Sequence, residues 1–233
     1  MNELLLLGQA AVSTLFVVLT WRFARERLYG VIFIFLVLIG IGGEKIVYFF
    51  GHATNTGNVF YAAIFLTTYF LIERLGKRQG IYSIWLAVIG VAFFFVFMQI
   101  VVAFNGSPAT LQFNNALDAA FSPYSRLTAA SLVAFVISQN INIYLYIYLK
   151  ERWKSARLWL RANIASVTAQ IIDSAVFFTI AFWGVIIPPP NIADVIVTGL
   201  AIKILFIAVT APLLSLNRIE SDDGSDYAEI SMR

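Results

Sequence analysis

The sequence predicts an all-α, multi-pass membrane protein, and three observations carry that expectation. Of the 233 residues, 60% are hydrophobic and 12% charged, against about 25% charged in a soluble domain. Mean hydropathy is +0.83. The apolar residues gather into seven runs, roughly 3–21, 29–50, 58–74, 81–104, 125–149, 162–187 and 192–216. Each fits a helix crossing a bilayer, which takes about 17–25 residues, whereas a spanning strand needs only about 9–11.

The first run, in MNELLLLGQAAVSTLFVVLTWRFARER, has Glu3 and no cation before it, and no small-x-small cleavage site after it. Those flanks are wrong for a secretion signal, so the run is expected to be retained as a helix. Cations follow it at Arg22, Arg25 and Arg27, follow the third run at Arg74, Lys77 and Arg78, and follow the fifth at Lys150, Arg152, Lys154, Arg157 and Arg161. With Arg218 and Arg233 in the tail, these make thirteen of the sixteen Lys and Arg; loops 51–57, 105–124 and 188–191 hold none. The positive-inside rule then predicts an external N-terminus and a cytoplasmic C-terminus. The expected organisation is an N-terminal helix with a basic loop (1–28), a six-helix core (29–216) and an acidic, solvated tail (217–233).

In the second run, GIGGEKIVYFFG sets Glu44 and Lys45 beside three glycines. Glycine-softened helices mark transporter sites, and they also allow close helix packing. Glu73, Arg74, Lys77 and Arg78 close the third run, where i,i+4 pairing and interfacial anchoring account for them. Arg126 opens the fifth run at the outer surface, a position suited to snorkelling. Trp21, Trp153 and Trp159 fit an interfacial aromatic belt, while Trp85 and Trp183 stay open and Trp183 could flank a planar ligand.

The polar residues at membrane depth carry the functional signal. The fifth run contains SQNIN, with Gln139 and Asn142; the sixth contains AQIID, with Gln170 and Asp173. Each pair is spaced i,i+3, on one helical face. A charge at mid-bilayer costs at least about 2.5–3.5 kcal/mol, so Asp173 calls for a partner or a wet cavity. Two antiparallel helices bearing amides and an acid would line a pocket for a polar solute. The same amides also serve as hydrogen-bonding glue between helices that bind nothing. Lys203 in the seventh run can pair with Asp173, or form a Schiff base like that of seven-helix retinal proteins. Those carry an acidic residue four positions before the lysine, where this chain has Gly199.

Other chemistries are poorly supplied. There is no cysteine, one histidine (His52), no phosphate-binding glycine loop, no Ser/His/Asp set and no His-Glu zinc motif. An enzyme, a metal or organic cofactor and a nucleic-acid partner are not expected.

Several segments together resemble one family. NVFYAAIFLTTYFLIERLGKR (58–78), RLTAASLVAFVISQNINIYLYIYLKER (126–152), LWLRANIASVTAQIIDSAVFFTIAFWG (158–184) and IKILFIAVTAPL (202–213) look like the VUT family of queuosine-precursor transporters. The matching motif positions are Glu73, Gly76, Arg126, Ser138, Gln139, Arg161, Asn163, Gln170, Asp173 and Lys203. The resemblance implies a six-helix core similar to the substrate-binding components of energy-coupling-factor vitamin transporters, importing 7-deazapurine precursors of queuosine or archaeosine. Family members typically have aspartates where this chain has Tyr69 and Asn142, and an asparagine near Gly40. Tyr69 would then stack on a planar ring or fill the pocket.

The expected protein is therefore an importer in a prokaryotic plasma membrane, its substrate a small heterocyclic base. Gln139, Asn142, Gln170, Asp173, Tyr69, Lys203, Arg126 and Trp183 are its expected site residues. Transport of another flat heterocycle or vitamin, service as the binding subunit of a larger transporter, and a retinal photoreceptor are the alternatives. A homo-oligomer and a separate energising partner both stay open.

Overall fold

The computed structural model describes residues 1–23, 27–43, 45–121, 125–153, 158–182 and 192–210, with the side chains of 125–128, 158, 181–182 and 192–196 left aside. Glu44, Trp183 and the acidic tail therefore lie outside the described residues, as does the side chain of Arg126. The elements run α1 (Asn2–Phe23), α2 (Leu28–Gly42), β1 (Ile46–Phe49), β2 (His52–Asn55), α3 (Gly57–Leu75), α4 (Lys77–Ala103), a 3-10 turn (Pro108–Thr110), α5 (Leu111–Phe121), α6 (Ser125–Arg152), α7 (Leu158–Phe182) and α8 (Ile192–Thr210). Among the described residues four helical stretches are long and apolar enough to cross a membrane: Asn2–Phe23, Lys77–Ala103, Ala129–Arg152 and Trp159–Ile180. Leu28–Gly42 and Val197–Thr210 are shorter apolar helices. The chain is a helical membrane protein.

The second apolar run is not one helix. It breaks at Gly42, where the Gly43 N–H caps Ile39 O at 2.8 Å, and the apolar stretch beyond turns into an antiparallel hairpin. Ile46 pairs with Asn55 and Phe49 with His52 around a two-residue turn. Both turn residues have positive φ, Phe50 at 49° and Gly51 at 83°, the backbone of a type I′ turn that matches strand twist. Glycine tolerates that region; a bulky Phe50 is strained in it. The physical reason for the break is the glycine cluster followed by β-branched and aromatic residues, which favour an extended, pleated backbone. At 15 residues α2 is about 22 Å long at 1.5 Å per residue, short of the ~30 Å hydrocarbon core.

Side chains of α1 hold this hairpin. Asn2 Nδ2 donates to Tyr48 O (3.2 Å), Gln9 Nε2 donates to Thr56 O (2.9 Å), and the Phe50 N–H donates to Glu3 Oε1 (3.3 Å). Trp21, expected in the interfacial belt, is instead buried and stacked on Phe70 at 5.1 Å, with the Arg74 guanidinium 5.9 Å from its ring. Trp153 and Trp159 are exposed, as a belt requires. The 105–124 loop carries α5, fastened where Gln99 Nε2 donates to Phe121 O (2.8 Å).

α3 is the centre of the bundle. Fourteen of its 19 residues are buried, so its polar side chains must find partners in neighbouring helices. It is packed by α1, α2, α4 and α8, and touches α6; α6 and α7 form the most extensive helix pair. Gly76 ends α3 with φ 84° and ψ 173°, its N–H on Ile72 O at 3.1 Å, and α4 begins at once. Space is open where a Cβ would stand, so any cost of adding one is conformational. Gly76→Ala is expected to destabilise the protein by about 1–3 kcal/mol through that glycine-only backbone. A thermal midpoint in detergent equal to wild type would sink this.

Candidate functional site

Three rungs of polar contacts cross the bundle from α3. In the first, Tyr61 OH donates to Asp173 Oδ1 of α7, and Ser138 Oγ of α6 donates to the same oxygen at 3.1 Å. Tyr61 OH and Ser138 Oγ are themselves 3.2 Å apart. Lys203 Nζ of α8 lies 3.8 Å from Asp173 Oδ2 and 4.2 Å from the centre of the Tyr61 ring. Asp173 and Lys203 are 7% and 8% exposed, so each removes the other's otherwise prohibitive isolated charge. The Tyr61 ring face adds a second attraction for the ammonium.

In the second rung Tyr69, two helical turns further along α3, donates to Asn142 Oδ1 at 2.6 Å. Its hydroxyl also meets Ser166 Oγ and Ala162 O, the latter at 2.9 Å. Its ring tilts against Tyr146 at 4.7 Å. The third rung joins Glu73 to α6: Tyr146 OH donates to Glu73 Oε1 at 2.7 Å and Lys150 Nζ lies 3.0 Å from that oxygen. Arg161 Nη1 donates to Lys150 O at 3.5 Å. Glu73 is thus tied to another helix, a correction to the local i,i+4 pairing expected for it.

The rungs also fix helix direction. Contacts advance together along α3 and α6, from Tyr61 and Ser138 to Tyr69 and Asn142 and then to Glu73 and Tyr146, so those helices run parallel. Along α7 the partners go backwards, from Asp173 to Ser166, so α7 is antiparallel to both. Gln139 and Gln170 fall on α6 and α7 between the first two rungs. Both are wholly buried, yet neither the Nε2 nor the Oε1 of either meets a hydrogen-bond partner among the described residues. Asn142 Nδ2 is likewise buried and uncommitted. Each buried, unpaired polar group costs about 1–3 kcal/mol, so five such atoms on two packed helices, from the first rung to the second, call for a reason beyond packing.

Of the eight expected site residues, the structure brings Asp173 and Lys203 together, and Tyr69 and Asn142 together, and sets Gln139 and Gln170 between those pairs. Tyr69 is 1% exposed, and its hydroxyl braces three helices. Arg126 and Trp183 receive no placement, since the side chain of one and the whole of the other are outside the described residues. Sequence reasoning missed Tyr61 and Ser166. Tyr61 stands eight residues before Tyr69 on the same face of α3, and that spacing was the available signal.

Comparison with known proteins agrees with this architecture. Residues 55–216 match the family model described as "Putative vitamin uptake transporter". The chain is 31% identical over 142 residues to the "Probable queuosine precursor transporter" of Bacillus subtilis (strain 168), covering 60% of this chain and 62% of that relative. It therefore spans somewhat less than two thirds of that relative's length. No solved structure matches. The family and the relative are transporters, not enzymes. With a matched segment that covers most of the chain and contains all three rungs, the protein belongs to the vitamin uptake transporter family.

Proposed function

We propose that the chain imports a small planar heterocycle of the 7-deazapurine type, a queuine-like base, across a prokaryotic plasma membrane by alternating access. The observation that carries this is the layer of buried, uncommitted amides of Gln139, Gln170 and Asn142 between two braced rungs. Each carboxamide sets a donor beside an acceptor, which suits the edge of a flat base that presents both side by side. The name of the Bacillus subtilis relative supports the same substrate class. The family description supports a second reading, import of another vitamin-like heterocycle at the same layer.

The transport core in this reading is the six-helix segment 29–216 of a seven-span chain with an external N-terminus and a cytoplasmic C-terminus. Parallel α3 and α6 with antiparallel α7 supports that alternation, and the cation distribution supports its direction. Asp173 with Lys203 forms one wall of the layer and the Tyr69 brace the other. Alternating access would open one wall at a time, driven by a gradient, metabolic trapping or an energising partner.

Uptake tests the reading. Labelled queuine and its two bacterial precursor bases are offered to cells that can neither make nor import them. Wild-type protein is expected to deliver at least one of the three. Asp173→Asn is expected to reduce uptake at least about tenfold at equal membrane abundance, because it leaves Lys203 buried without its counter-charge and disrupts the first wall. No uptake of any of the three by abundant wild-type protein removes the 7-deazapurine assignment.

A further inference from the structure

We infer that the site selects an uncharged ligand: a flat nitrogen heterocycle whose edge sets hydrogen-bond donors beside acceptors and which carries no ammonium group. This rests on the importer reading above and narrows it. Every uncommitted polar atom between the first two rungs belongs to a carboxamide: both polar atoms of Gln139, both of Gln170, and Nδ2 of Asn142. Carboxamides are neutral and offer a donor and an acceptor in one plane, the complement of a lactam or aminopyrimidine edge.

The walls of the layer add no free negative charge. Asp173 Oδ2 faces Lys203 Nζ at 3.8 Å, and Oδ1 already accepts from Tyr61 and Ser138. Whichever partner holds the proton the pair shares, the two charges sum to zero. Across the other wall, the Tyr69 hydroxyl donates to the Asn142 amide oxygen, and both groups are neutral. Beyond them the single carboxylate of Glu73 meets Lys150 at 3.0 Å, with Arg161 bonded to the Lys150 carbonyl. Those three side chains sum to one positive charge, and their field opposes a cation. An ammonium entering the layer would lose its hydration and meet a carboxylate, Asp173, that already faces Lys203 and accepts from Tyr61 and Ser138. The expected discrimination against it is at least about tenfold.

Two 7-deazaguanine bases isolate the variable: one carries a neutral cyano group at position 7, the other an aminomethyl group that is an ammonium at pH 7. Uptake of each is measured in cells lacking their own supply, with full-length wild type and with Asn142→Asp. Wild type is expected to take up the cyano base at least about tenfold faster, and Asn142→Asp to narrow or reverse that ratio by supplying an anion not already paired. Gln139→Glu replaces Asn142→Asp if the latter does not reach the membrane. Equal or faster uptake of the aminomethyl base by wild type overturns the charge inference and leaves the importer reading standing. A ratio unchanged in the carboxylate variant overturns the assignment of selectivity to the amides. Uptake of neither base overturns the 7-deazapurine assignment, and this inference with it.

Discussion

Replacing Lys203 with Met is expected to destabilise the folded protein by about 3–5 kcal/mol, because Asp173 then remains buried without its cation. The double variant Lys203→Met/Asp173→Asn should regain most of that loss, since two neutral groups of similar volume replace the pair. Uptake should stay lost in both. Thermal unfolding midpoints in detergent, read beside uptake at matched membrane abundance, separate these effects. If single and double variants unfold alike, the 3.8 Å ion pair contributes nothing to stability and the first wall of the layer is held by Tyr61 and Ser138 alone.

A comparable loss is expected at Tyr69. Tyr69→Ala removes a ring that is 1% exposed and packed on Tyr146, for which about 3–5 kcal/mol is typical of large-to-small core changes. Tyr69→Phe keeps the ring and deletes only the hydroxyl that reaches Asn142, Ser166 and the Ala162 carbonyl. Hydrogen bonds inside membrane bundles are modest, so that variant should lose about 1–2 kcal/mol. The contrast separates packing from bracing. A Tyr69→Phe loss as large as that of Tyr69→Ala would mean that the brace, rather than the ring, holds α3 to α6 and α7.

Much of this arrangement could be read from the chain, for identifiable reasons. Helical membrane character follows from apolar runs whose length only a helix explains. Gln170 and Asp173 were legible as a pair because i,i+3 spacing on one helix determines a shared face without knowledge of the fold. Lys203 was legible as a counter-charge because an intramembrane acid needs one. The hairpin was not legible. Ile46–Phe50 continues an apolar run, and a short apolar stretch reads equally as helix or strand. Tyr61 was missed because a tyrosine in an apolar helix ordinarily reports an interface. Its partner Asp173 lies 112 residues away, beyond the reach of any local pattern. Tyr69 and Asn142, noted separately as departures from the aspartates usual in the family, proved to be hydrogen-bonded to each other. A pairwise compensation of that kind is visible only in three dimensions.

The sequence separations of these contacts also set an order of assembly. The bonds between α1 and the hairpin span only 46 or 47 residues, whereas Tyr69 meets Ser166 across 97. During synthesis at about 5–20 residues per second, Tyr69 waits roughly 5–20 s for its α7 partner Ser166, with its α6 partner Asn142 made only late in that interval. The elements made before α3 are α1, α2 and the hairpin; α1 and α2 pack on α3, and the hairpin bonds to its first turn. The N-terminal elements thus serve first as a holding frame for a helix too polar to sit comfortably in lipid alone. The layer between the first two rungs is among the last parts of the bundle to close.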